Sequence, residues 1–573
     1  MTFKTIVIMA FIFIFSSHTF VFAAERPGEN VGAQAERFLK DVEKKKGERE
    51  KKKIQAPQIE IQEEAEKAKP QAEEASFTLE EVRIAGVTVF KLMDFFPIYQ
   101  PYLHKKVTFS DLESITEKIK AKYKEKGYLT TTVYIPEQEI AEGKIEIRVF
   151  EGKMGNLNSE GNRWFSLSLL KRYFHTKKDE ILNVNKLQKD ILRLNQNPDL
   201  EVKAVIAPGK TSGTSDVILK VREKFPFHAG AGFDNQGTRL VGKYRQLVLL
   251  RSSNATGNLD ALYMATLLSS NSFGESVSYL TPLNTYGLRF RLDSTYFKMK
   301  LGKEYGVFDI TGNTQIYSPR LLCELYLSEN FQVGADCGME IKYIKKKMGG
   351  NISTNDNLRL PFFGFNFTKN DSFKGRQITY APRFIFGIED FLGASERGHP
   401  SASREGTGGR FFKTEQSLEY TQRMIFDSYI LLRSQVQISS LSLASSEQFQ
   451  LGGANSVRGY PEGDYLADLG GSFNLDWVFP MYLIPRAWKL PYQNIELRRQ
   501  IEPIFFIDAG GGKLKTVLGG EKREKFLSGA GGGIRINFGR IFSLALYWAQ
   551  HLGDEPTQGS GPSNFHLTFQ SEI

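Results

Sequence analysis

The sequence predicts a transmembrane β-barrel of 16 antiparallel strands, preceded by two small α+β domains and by an N-terminal helix with a charged linker. Three observations carry this. Hydrophobic residues make up only 41% of the 573 residues, while aromatics reach 12% and glycine numbers 52. With a mean hydropathy of −0.32, that composition excludes a bundle of membrane-crossing helices and suits alternating strands joined by turns. Between His228 and Ser571 about sixteen segments alternate apolar with polar residues, an even number as a closed antiparallel barrel requires. A soluble β-sandwich would alternate in the same way, but here the connectors also alternate in length, as they do when one rim carries tight turns and the other long loops.

Taken in order, the chain opens with Lys4, an apolar run over residues 6–15 and the small-residue stretch Val21-Phe22-Ala23-Ala24. Residues 1–23 are expected to be a signal peptide that takes the protein out of the cytoplasm. Residues 24–76 follow as a helix and linker. Val31, Ala35, Phe38, Leu39 and Val42 share one face at helical spacing, which predicts an amphipathic helix near residues 32–46, with Glu36–Lys40 and Asp41–Lys45 placed for i,i+4 pairing. Residues 47–76 hold charge runs, Pro57 and Pro70 and no aromatic side chain, the composition of a mobile linker.

Residues 77–152 change pattern. An alternating strand over 78–89 precedes a capping box, Ser110-Asp111-Leu112-Glu113, that opens a helix through Ile115, Ile119 and Tyr123 to a stop at Gly127. Strands over 129–135 and 144–150 complete a β-α-α-β-β unit with helices on one sheet face. Residues 153–224 repeat that order: a strand near 155–159, helices over 166–174 and 184–195, and strands over 201–206 and 214–221. The inference is two tandem copies of one unit.

Residues 225–573 form the predicted barrel. In 288–293 Arg289, Arg291 and Asp293 alternate with Leu288, Phe290 and Leu292; in 565–570 His566, Thr568 and Gln570 alternate with Phe565, Leu567 and Phe569. One face meets lipid and the other water. The connectors 254–258, 284–287, 328–330 and 539–540 are tight, whereas 391–409 and 442–467 are long and polar. One connector breaks the rule: 481–500 is long where a short turn belongs.

Catalytic chemistry is not indicated. Gly209-Lys210-Thr211 imitates the end of a phosphate-binding loop, but Ala204 stands where the leading glycine belongs. There is no His-Glu-x-x-His and no Gly-x-Ser-x-Gly, and the seven histidines are scattered. The expectation is therefore no enzyme, no cofactor and no metal. The formal charge of +10 does not point to nucleic acid, because residues 25–76 balance 12 Lys/Arg against 13 Asp/Glu. Cys323 and Cys337 would face each other on adjacent strands if their turn centred on Asn330. A bridge between them and a pair of separate thiols both remain open.

Residues 77–152, with Gly127-Tyr128-Leu129, Pro136-Glu137-Gln138 and Glu151-Gly152, resemble the first polypeptide-transport-associated (POTRA) domain of two-partner secretion transporters, the hemolysin secretion/activation proteins of the ShlB/FhaC/HecB type. Leu194-Asn195, Pro198 and Gly213-Thr214-Ser215 resemble their second POTRA domain. The barrel carries Ser278-Tyr279, Pro282-Leu283, Leu451-Gly452-Gly453, Ser456-Val457-Arg458-Gly459-Tyr460 and Phe506-Ile507-Asp508-Ala509-Gly510 in matching order. The chain is thereby identified as a member of that family over nearly its whole mature length. It departs from the pattern in ending Phe569-Gln570-Ser571-Glu572-Ile573, where the family commonly ends on an aromatic residue.

The resemblance implies an outer-membrane translocator whose periplasmic POTRA domains recognise a secreted partner protein in extended form and whose barrel exports it without nucleotide hydrolysis. A barrel-inserting assembly factor of the same superfamily is the alternative. It further implies a monomer, surrounded by outer-membrane lipid and assembled by the barrel-assembly machinery. Val457, Arg458, Gly459 and Tyr460 would form a loop motif in the lumen, Phe506, Asp508 and Gly510 its partner motif on the barrel wall, and Phe38, Leu39 and Val42 a plug helix. Asp508 shares strand parity with Phe506 and Gly510, so all three point inward if Phe505 and Ile507 meet lipid.

Overall fold

A computed structural model describes residues 30–50, 59–61, 76–490, 494–539, 541–557, 561 and 563–572. The expected signal segment lies outside them. Helix α1 (Val31–Glu50) comes first, opened by Asn30, whose side-chain oxygen accepts the Ala33 backbone N–H at 2.8 Å.

Within the segment expected to be linker, Ile59–Ile61 forms a strand, β1, parallel to β6 (Leu200–Pro208) of the second α+β unit, with Ile59 opposite Ala204 and Ile61 opposite Ile206. Two isoleucines around one glutamate suffice, because an open sheet edge supplies the hydrogen bonds a lone extended tripeptide lacks.

In the first unit, β2 (Glu81–Ala85), β3 (Thr132–Tyr134) and β4 (Lys144–Phe150) form a sheet in the order β2-β4-β3. Helix α2 (Phe109–Glu125) covers it with Leu112, Ile115, Ile119 and Tyr123. The cap sits two residues earlier than expected. Thr108 accepts from the Asp111 N–H while Asp111 accepts from the Thr108 N–H at 2.9 Å, because pairing with Phe77 and Thr78 ends at Val107 and leaves Thr108 extended. Likewise the strand expected over 78–89 is two short pieces, Phe77–Thr78 and Glu81–Ala85, the second ending where Gly86 turns the chain at φ +86°.

Glu151 is the hub of this unit. Its carboxylate accepts the Thr88 and Val89 N–H groups at 2.9 and 3.0 Å and the Tyr123 hydroxyl at 2.7 Å. Burial alone would push that carboxyl up, but these donors outweigh it and hold it below the ordinary value.

The second unit contains β5 (Lys153–Glu160), α3 (Leu167–Arg172), α4 (Val184–Leu194), β6 and β7 (Thr214–Glu223), with sheet order β1-β6-β7-β5. Ser166 and Asn183 cap its helices. It is keyed to the barrel: Arg193 Nε donates to Glu324 at 2.9 Å, Asn197 Nδ2 to the Ser253 carbonyl at 2.7 Å, and buried Asp199 accepts from Ser253 Oγ at 2.7 Å.

Sixteen antiparallel strands, β8 (Phe227–Asp234) through β23 (Ser563–Glu572), close into a barrel. The closing seam between β8 and β23 runs only from Gly230 opposite Glu572 to Asp234 opposite Thr568. Phe505 and Ile507 are exposed on the outer wall while Phe506 and Asp508 are buried within. The connectors 253–260 and 283–287 touch the second unit, Arg172 Nη2 donating to Asn258 at 2.9 Å and His175 meeting Thr285 at 3.0 Å. The rims do not divide cleanly into short and long, since 270–271 and 349–350 on the far rim are two residues each and 479–500 on the near rim is long.

Cys323 and Cys337 are free and exposed. Cys323 pairs with Ala335 and Cys337 with Leu321, since the ladder is offset and a register shift falls between Glu324 and Tyr326. The two thiols are not opposite each other.

Candidate functional site

Two pieces of the chain occupy the barrel interior: the long connector 440–468, and α1. The connector joins β18 (Tyr429–Ser439) to β19 (Leu469–Val478) and carries its own short pairing of Phe449–Leu451 with Tyr465–Ala467. At its tip lie Val457, Arg458, Gly459 and Tyr460, all buried.

Arg458 meets Asp508 on β20 (Ile501–Lys513) through three donors. Its backbone N–H and Nε reach Oδ2 at 3.0 and 2.7 Å, and Nη2 reaches Oδ1 at 2.7 Å. Nη2 also donates to Asp476 Oδ1 on β19. Asn474, two residues before Asp476, donates to Asp508 at 2.8 Å and to the Ser456 carbonyl. The guanidinium carbon stands 3.5 Å from the centroid of the Phe506 ring. One cation thus faces two carboxylates and an aromatic face at 3% exposure, with 0% for Asp508, a geometry in which charge-assisted bonds are little competed by water.

The glycines of both motifs are required by close approach. Gly459 has φ +101°, and a Cβ there would stand 2.9 Å from the Gln550 carbonyl carbon. A Cβ on Gly510 would meet Leu451 at 2.7 Å and Val457 at 3.0 Å. Tyr460 Oη accepts the Gly553 N–H at 3.1 Å. Val457 and Tyr460 pack with Phe449, Leu451, Tyr465 and Leu527.

Helix α1 buries Val31, Ala35, Phe38 and Val42 against an apolar patch on the inner wall that includes Leu247, Tyr263, Leu267 and Phe297. Leu39 is buried outside that cluster. The polar side of the helix turns to the barrel and the connector. Glu36 faces Lys342 at 3.0 Å, Asp41 faces Arg245 at 2.9 Å, Glu43 faces Arg320 at 3.1 Å, and Arg37 pairs with Glu462 of the connector. Asp41 also accepts from Asn455 at 2.8 Å, and Gln450 donates to the Ala33 carbonyl at 2.7 Å. Below lies a cavity of about 1120 Å³ reached by Asp41, Lys45, Arg433, Arg458 and Glu572.

Sequence reasoning named Arg458, Phe506 and Asp508 but not Asn474 and Asp476. Their signal was present in β19, where Ser472, Asn474 and Asp476 alternate with Phe473, Leu475 and Trp477. Among the described residues, no group of three or more His, Cys, Asp or Glu side chains is placed to hold a metal ion.

A closed 16-stranded barrel with a POTRA-type arm and a charge-locked connector in its lumen defines an outer-membrane protein of the POTRA-barrel class. The POTRA domain, ShlB-type, matches residues 77–152, and the haemolysin secretion/activation protein family ShlB/FhaC/HecB matches residues 213–536. The chain belongs to the ShlB/FhaC/HecB family and resides in the outer membrane, with the POTRA domains in the periplasm.

Among relatives, it is 24% identical over 392 residues to the heme/hemopexin transporter protein HuxB of Haemophilus influenzae, covering 65% of this chain and 66% of HuxB. It is 23% identical over 434 residues to the outer membrane transporter CdiB of Dickeya dadantii, covering 72% and 73%. The chain thus spans about two thirds of the curated relatives it matches. In fold it is similar to CdiB from Escherichia coli, with a TM-score of 0.72 and 19% identity over 96% of this chain and 100% of that one. It is also similar to BamA from Haemophilus ducreyi lacking POTRA domains 1–3, with a TM-score of 0.50 and 14% identity over 87% of this chain and 100% of that one.

Proposed function

We propose that this protein exports a secreted partner protein of the hemolysin or adhesin class across the outer membrane. The POTRA domains capture the partner in extended form and the barrel passes it outward without nucleotide hydrolysis. The observation that carries the reading is the filled lumen: two separately tethered pieces of the same chain, α1 and the 440–468 connector, stand where a passenger would travel. A channel for small solutes has no use for such plugs or for a POTRA arm, and the family relationship favours export over the insertion of other barrels.

Capture uses sheet edges, where main-chain hydrogen bonds give affinity and side-chain pockets give selectivity. The β6 edge is already taken by β1, which leaves β5 and the edges of the first unit as receiving strands. Deleting residues 77–152 is expected to leave a heat-modifiable barrel in the outer membrane and to abolish release of the partner into the medium. Undiminished release would dismiss the receptor role.

A further inference from the structure

The connector over 479–500, described over 479–490 and 494–500, lies on the periplasmic rim and is long where its neighbours are tight turns; the surface considered is made of its described residues. It leaves the barrel on the lipid side. The Phe479 ring lies 4.7 Å from that of Trp477 and 6.0 Å from that of Phe505, both outward residues of β19 and β20. From there it presents Tyr482, Leu483 and Trp488, with Leu483 at 90% exposure. The adjacent turn 424–428 adds Met424, Ile425 and Phe426, the last at 76%.

This apolar surface is built rather than loose. Tyr482 donates to the Phe426 carbonyl, Arg498 to Asp427 at 2.8 Å, and Leu497 N–H to the Trp488 carbonyl at 2.8 Å. Phe426 is held at φ +56°, a conformation a bulky side chain adopts only when its surroundings impose it. Around it stand Arg486, Lys489, Arg498 and Arg499 against Glu496 and Asp427, with the Arg486 side chain 76% exposed.

We propose that these two connectors form a shelf that docks on phospholipid of the periplasmic leaflet. Its aromatic and leucine side chains enter at the acyl–headgroup boundary, while Arg486, Lys489 and Arg499 meet the phosphates. Continuity with the outer wall selects lipid as the occupant: the partly buried Phe479 packs on the outward rings of Trp477 and Phe505, and the exposed Tyr482 follows three residues on. Tryptophan, tyrosine and cations together are the side chains that settle at that depth.

The test uses the full chain in phospholipid nanodiscs containing phosphatidylglycerol, reading the Trp488 emission as the difference between wild type and Trp488→Phe. Lipids brominated close to the glycerol are expected to remove that emission, and aqueous acrylamide to leave most of it. Loss to acrylamide with no effect of bromolipid would place the shelf in the periplasm and overturn the proposal. So would protection that appears only when the secreted partner is added, which would make it a protein-binding face.

In a second arm, Arg486→Glu, Lys489→Glu and Arg499→Glu are each expected to weaken phosphatidylglycerol retention, seen by native mass spectrometry, by about fivefold. Unchanged retention in all three would likewise overturn it. Heat-modifiability reports whether each variant has folded, and the wild-type quenching decides the matter where one has not.

Discussion

The connector and the helix share one lumen but are held by different physics. The connector is fastened from within: Arg458 spends its donors on Asp508 and Asp476 of the barrel wall, and Asp464 on its return limb accepts from Lys525 at 2.6 Å. The helix is seated, with one apolar stripe on the wall and ionic contacts around it. Asp41 and Lys45 border the large water-accessible cavity. The wall cations that meet the helix keep other partners without it, Arg245 on Asp234 at 2.7 Å, Lys342 on Glu447 at 2.9 Å and Arg320 on Asp293 at 3.0 Å, whereas a buried pair broken on one side leaves a stranded charge. The comparison teaches that the helix can be displaced without unfolding anything, while moving the connector costs a buried cation its partners.

The largest expected effect therefore falls on the connector. Arg458→Ala strands Asp508, while Asp476 keeps Arg433 at 2.7 Å, and should destabilise the closed connector by about 3–5 kcal/mol, read as protease cleavage within 440–468 and loss of export while the barrel stays folded. Asp508→Ala should cost less, because Asp476 still receives the guanidinium. Combining Arg458→Asp with Asp508→Arg should recover part of the loss, and strictly additive losses across that cycle would count against direct coupling.

Next in size, Phe38→Ala removes the largest apolar contact of the helix, whose ring lies 6.0 Å from that of Phe297, at a cost of about 3 kcal/mol. Its expected signature is higher single-channel conductance with no new cleavage in the connector, and deletion of residues 32–46 should raise conductance further. If Phe38→Ala loosened the connector equally, the two attachments would be one. A smaller change, about 1–3 kcal/mol, is expected for Gly459→Ala, which forces a Cβ into left-handed backbone against Gln550. It should appear as a lowered Tm. Smallest is Lys45→Ala, 3.7 Å from Asp234: Arg245 keeps that carboxylate paired at 2.7 Å, so a change below about 1 kcal/mol in unfolding free energy is expected.

How much of this could be read in the sequence depended on how local its cause was. Strand alternation is a period-two property of neighbouring residues, so the barrel and the inward direction of Phe506, Asp508 and Gly510 were legible without partners. The Arg458 contact was legible only through the family's motif order, since nothing in the loop itself says that it folds inward. Asn474 and Asp476 were missed because their role depends on which strand lies beside β20.

The distant partners of α1 were missed for the same reason. Spacing along the helix shows the lysines four residues away but not Lys342 and Arg245, hundreds of residues distant, which meet Glu36 and Asp41. β1 was invisible because three residues amid charge and proline form a strand only against an edge supplied by β6. The cysteine register failed on an offset ladder and a register shift, which spacing alone does not encode.

That short β1 strand also sets a leash. From Glu50, where α1 ends, to Ile59 the backbone can reach no more than about 30 Å, roughly the length of the 20-residue helix itself. While Ile59–Ile61 stays on β6, a helix drawn out of the lumen keeps its trailing end within that radius of the second POTRA domain. One helix confined to such a sphere has an effective concentration on the order of 10 mM. Resealing the lumen after a passenger has gone through is then a first-order return of a tethered part, with a rate that does not depend on how many copies of the protein the membrane holds.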